Sequence, residues 1–115
     1  MSLQSSVRIL NSIANNLSKR SKFSIKQLDA LDELLEERLF GSGNLERKLS
    51  DYPEVVTLVS TYEYYIEEVE YVEDVEDEEL TSGERIGEFN SWWSGPGKRS
   101  GFMMYKMYTA NRLYH

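Results

Sequence analysis

The chain has no cysteine, which excludes a disulfide framework and thiolate metal sites and fits a reducing compartment. Its single histidine is His115, the last residue, so no imidazole is available within the chain as catalytic base or ligand. There is no stretch of about 18 apolar residues and no apolar run after a basic start, so neither a membrane span nor a secretory signal is expected. No nucleophile–base pair and no cofactor loop can be found. The expectation is a protein that is not an enzyme and that carries no metal or cofactor. One local absence stands out: from Glu63 to Glu79 there are ten carboxylates and no Lys or Arg.

What is present suits one small domain over residues 1–115. With 40% hydrophobic residues, eight Tyr, four Phe and two Trp, the chain can bury a modest core. Its net charge of −7 hides a partition. Residues 1–26 carry Arg8, Lys19, Arg20, Lys22 and Lys26 and no acid, a balance of +5. Residues 27–80 carry a balance of −15, and residues 81–115 a balance of +3. Basic ends around an acidic middle can neutralise one another within one fold or between subunits.

In chain order, Leu3, Val7, Leu10, Ala14 and Leu17 at 4-3-4-3 spacing predict an amphipathic helix over 2–17. Its Ser and Arg content also has the look of a mitochondrial transit peptide. However, it runs into a second helix with no composition break, so the cytoplasm is the expected location ahead of the mitochondrial matrix. Ser24 and Gln27 form a capping box. Leu28, Leu31, Leu35 and Leu39, with Leu34 beside them, predict a helix over 24–40 that Gly41-Ser42-Gly43 stops. Asp29, Asp32, Glu33, Glu36 and Glu37 would face phosphates, so a DNA-reading helix-turn-helix is rejected for an antiparallel helical hairpin over 2–40.

Residues 44–49 predict a short helical turn capped by Asn44, and Asp51 with Glu54 predicts the next cap. Val55, Leu58, Val59, Tyr62, Tyr65, Ile66, Val69 and Val72 then form one stripe, a central helix over 51–72. The same register places Glu73 and Glu76 on that stripe, so 73–80 reads as an acidic extension outside the core. Thr81 and Glu84 form a third capping box, followed by Ile86, Phe89 and Trp93, and Gly95 is expected in a left-handed cap. Residues 81–115 make an aromatic C-terminal segment. Helices fit it best, with a β-hairpin over 84–109 as the rival.

Two groups of residues are candidates for binding. On the flank of the central helix, Glu63, Glu67, Glu70, Asp74 and Asp77 recur at 4-3-4-3 spacing, a carboxylate every ~5–6 Å along one line. Tyr64 and Tyr71 project opposite the core stripe. These seven are the expected partner-binding face. In the loop region, Lys98 and Arg99 lie between Trp92, Trp93 and the later aromatics, the composition that single-stranded nucleic acid binding uses. Residues 95–101 are not a P-loop, because Trp92 stands where its first Gly should be and Arg99 where Ser or Thr should follow Gly-Lys.

The expected protein is all-α, a single domain of four to five helices. Its expected function is protein–protein interaction or assembly, with a protein partner or self-association. The first alternative is an acidic nucleic-acid mimic that occupies a basic nucleic-acid-binding protein, and the second is a single-strand binder through 92–108. Direct binding of nucleic acid is disfavoured.

Overall fold

The computed structural model describes residues 3–41, 43–70 and 81–113, the side chains of 112 and 113 apart. The described residues form six α-helices and no strand: α1 (Leu3–Ala14), α2 (Ile25–Phe40), α3 (Leu45–Lys48), α4 (Pro53–Tyr64), α5 (Ser82–Ser94) and α6 (Gly101–Leu113). The helix α4 runs on as a π-helical turn over Tyr65–Glu70. The protein is therefore all-α, and the rival β-hairpin over 84–109 is overturned. Both of its would-be strands are helices, because Phe89, Trp93 and Tyr105 bury on helical spacing.

Helices α1 and α2 pack together as the expected hairpin, and α4 lies against α1, α2 and α6. Ser24 caps α2 with both halves of its capping box, its Oγ accepting from Gln27 N while Gln27 Oε1 accepts from Ser24 N. Leu28, Leu31, Leu34 and Leu35 are buried, but Leu39 is 50% exposed because the last turn of α2 runs past the core. Arg38 turns inward instead, donating to Ser60 and Glu63 of α4 and pairing with Glu46 of α3.

Four caps differ from expectation. Asn44 makes no side-chain cap bond. Pro53 takes the first position of α4, so the cap falls on Tyr52, one residue after Asp51. Gly95 is extended, with φ −65° and ψ 162°, as a residue before proline must be. The left-handed turn belongs to Gly97, at φ 104°. At Thr81 the expected box is half made: its Oγ1 accepts from Glu84 N, but the Glu84 carboxylate accepts from that hydroxyl and not from the backbone.

The core is aromatic at its centre. Phe89 and Trp93 of α5 meet Phe23, Tyr62, Tyr65 and Tyr105, mostly edge to face at centroid distances such as 5.0 Å for Phe23–Trp93 and 5.2 Å for Tyr65–Phe89. That geometry matches the positive ring edge to the negative ring face. Polar tips find partners: Trp93 Nε1 donates to Ser18 O, and Tyr105 OH donates to Ala14 O, a carbonyl the end of α1 leaves unpaired.

The start of α6 rests on the two indoles. A Cβ at Gly101 would lie 2.7 Å from Trp92 Cζ3 and from Trp93 Cε3. Alanine is ordinarily the better helix former. Gly101→Ala is nonetheless expected to destabilise the fold by about 1–3 kcal/mol through overpacking, read as a lower urea midpoint at unchanged slope.

Candidate functional site

Of the expected carboxylate line, Glu63, Glu67 and Glu70 are described, and they do not share one solvated face. A π-turn closes i→i+5 hydrogen bonds, and its wider turn brings the fifth residue on closer to the starting side than an α-turn does. This sets Glu70 on the side of buried Tyr65, away from where a straight α-helix would carry it. Glu63 is also drawn inward, half-buried and 3.0 Å from Arg38. Glu67 is exposed. Tyr71, Asp74 and Asp77, with the whole extension 73–80, lie outside the described residues. Tyr64 does not project into open water: it is half-buried and stacks on Trp92 at 6.4 Å between centroids.

Glu70 borders a polar cluster that the charge pattern did not reveal. Asp32 of α2, Tyr62 of α4 and Arg85 of α5 converge there. The Tyr62 hydroxyl donates to the Asp32 carboxylate. Arg85 forks onto both Asp32 oxygens at 3.3 Å and donates to the Tyr62 oxygen at 3.0 Å. Burial, and then the bond to Asp32, push the Tyr62 phenol far above its usual range. Burial opposes the charge of Arg85, but Asp32 and Tyr62 outweigh it and hold that proton more tightly. One oxygen of Glu70 is buried with no hydrogen-bond partner among the described residues. Burial raises the Glu70 pKa; the attraction of Arg85 partly offsets this, and Asp32 and Glu88 add to the rise.

Beside this cluster lies an open trough in two parts. One part, of about 510 Å³, is lined by Tyr65, Val69, Gly87 and Ser91 with Glu84 and Glu88 on its rim. The other, of about 520 Å³, is lined by Tyr64, Glu68 and the loop residues 96–100. Trp92 and Val69 wall both. The Trp92 indole is fixed, stacked by Tyr64, tilted against Tyr65 at 4.8 Å, and donating from Nε1 to Arg99 O at 2.8 Å. That bond ties down the backbone of the basic loop and leaves the Lys98 and Arg99 side chains exposed at one end of the trough.

Of the four residues expected near a nucleic acid, the structure thus brings Trp92, Lys98 and Arg99 together. Trp93 is excluded from any such contact, with 0% of its surface exposed. Glu68, Glu84 and Glu88 stand around the same trough, opposing a phosphate chain. Among the described residues no cluster of ligating side chains is placed to hold a metal ion, and no helix is long and apolar enough to cross a membrane. Comparison with protein-family models, with curated proteins and with solved structures finds no match to the chain.

Sequence reasoning missed Asp32, Tyr62 and Arg85 as a set because they lie on three separate helices. For the trough the sequence did contain a signal, Gly87 and Ser91 at four-residue spacing in a capped helix, which places small residues on one side of α5.

The sign of the Glu70 shift sets a pH test. A carboxyl that holds its proton more tightly in the folded state makes folding less favourable once it ionises. The penalty is therefore present at neutral pH and relieved as pH falls. Glu70→Gln is expected to stabilise the fold at pH 7 by up to about 1 kcal/mol, a term limited by the solvent that still reaches the group. The gain over the parent should vanish below the ordinary carboxylate value of 4.5, when both chains are uncharged at this position. Urea unfolding of the two chains across pH measures it.

Proposed function

We propose that this is a non-enzymatic interaction protein, an accessory factor or subunit of a larger assembly, and that it takes a segment of a partner protein in the trough beside Trp92. The observation that carries this reading is Gly87. It sits in mid-helix, exposed, on the wall of the trough, and a Cβ there would meet nothing within 4 Å. A glycine in a helix interior costs about 1 kcal/mol relative to alanine. Packing among the described residues supplies no reason for that cost, whereas close approach of another backbone does.

The chemistry around it supports a protein segment over a nucleic acid strand. Indole and phenol rings held rigid in a half-buried wall supply contact area with little entropy left to lose, as in the centres of protein interfaces. The rim carries acids toward α5 and cations at the 96–100 loop, which suits a segment of mixed charge. Polyphosphate would meet Glu68, Glu84 and Glu88. The acidic-mimic alternative has less support, since Glu63 and Glu70 face cations of their own chain.

Gly87→Ala separates fold from function. It is expected to stabilise the protein by about 0.5–1 kcal/mol while weakening partner capture. A photo-crosslinking residue at Ser91 should trap one discrete partner from source cells, and the yield should fall in the Gly87→Ala chain. If Ser91 traps no more than the same residue placed at exposed Arg8, or if Gly87→Ala leaves the yield unchanged, the reading fails.

A further inference from the structure

We infer that the linker between α1 and α2 is a second docking surface, which recognises an acidic protein segment carrying an aliphatic side chain among its carboxylates. The linker is a built feature. Ser21 N donates to Ser18 O at 3.0 Å, closing a turn that places Lys19 and Arg20 at its two central positions. Ser21 Oγ also accepts from Ser18 N at 2.8 Å. The turn is fastened to α5 at two points. Trp93 donates to Ser18 O, and Asn90 brackets Phe23, accepting from its N at 2.8 Å and donating to its O at 3.0 Å. A surface held in this way has little conformational freedom left to lose on binding.

It presents cations that no carboxylate among the described residues answers. Lys19, Arg20, Lys22 and Lys26 are all exposed, and no ion pair among the described residues involves any of them. The first turn of α2 carries no acid, so the positive end of its helix dipole adds to the same field. Cations at a helix N-terminus are unfavourable to the helix itself, which an incoming carboxylate would relieve.

A second feature distinguishes among anions. Beside the turn is a cleft of about 220 Å³ whose walls include Ile13, Leu17 and Phe23, with Lys22 on its edge. An aliphatic side chain can fill that space while neighbouring carboxylates reach the lysines. A nucleic acid backbone offers no such side chain, and the chain's overall charge of −7 repels long polyphosphates outside the patch. The cleft and the trough beside Trp92 have no lining residue in common, so this surface stands independently of the function proposed above.

The test uses the full chain and a fluorescein-labelled decapeptide of Glu and Asp around one central Leu, followed by anisotropy. Saturable binding is expected, weakening steeply as salt shortens the reach of the charges. The charge-reversed chain Lys19→Glu, Arg20→Glu, Lys22→Glu should lose it, with its helical circular dichroism unchanged. A peptide with Ala in place of the central Leu should bind the parent chain about ten-fold more weakly, a comparison that does not depend on how any variant folds. The inference is overturned if the decapeptide does not bind. It is overturned equally if the Leu and Ala peptides bind alike, if charge reversal leaves affinity unchanged, or if a ten-nucleotide oligothymidine or vesicles of anionic phospholipid bind the parent more tightly than the peptide does.

Discussion

The indole of Trp93 has no surface in water and contacts three parts of the chain at once. Its ring meets Phe23 from the α1–α2 linker, Phe102 and Tyr105 from α6, and Phe89 one helical turn earlier on its own α5. Its nitrogen holds Ser18 O. A chain of this size has few fully buried side chains, and burying a large aromatic contributes on the order of 1.5–3 kcal/mol. The arrangement of the remaining helices follows from this contact. The linker turn, the flat seat of α6 on Gly101 and the position of Trp92 next door are all set by where α5 places its two indoles.

A polar counterpart lies on the other side of Tyr62. Asp32, Tyr62 and Arg85 bring α2, α4 and α5 together through bonds that leave each partner satisfied, the condition under which a half-buried ion pair is tolerated. Glu70 adjoins the cluster with one buried oxygen lacking a partner among the described residues. The π-turn is what brings it there. Such turns recur at functional positions in helices, and this one also sets Tyr65 and Val69 along the trough. The same local widening therefore places a group that weakens the fold and shapes a face that suits a partner.

The charge partition seen in the chain acquires a spatial meaning. Among the described residues the N-terminal cations make no ion pair with the acidic middle; the ion pairs there run through Arg38, Lys48 and Arg85. The basic linker and the mixed-charge trough are left as separate faces, each with apolar surface beside its charges. A molecule with two such faces could meet two protein segments at once, which is what the proposed accessory role would require.

Much of the fold was legible beforehand. Ser24 and Gln27 marked the start of α2, the leucines of that helix marked its buried side, and Phe89 with Trp93 marked α5. These follow from hydrogen-bond completion and helical period, which act between residues close in the chain. The inward placement of Glu63 and Glu70, the cover over Tyr64 and the burial of Trp93 were not legible because each rests on what other helices bring. A π-turn alters the register that a fixed 100° period assumes. Trp92 covers Tyr64 only once α5 has docked, and Trp93 is enclosed by the α1–α2 linker and α6, which lie far from each other in sequence. The sequence by itself determined which segments become helices, where they begin and which residues have reason to be buried, since those choices are local. Which charges stay free and which aromatics remain open to a partner was decided only by tertiary packing, because burial and ion pairing are relations between helices.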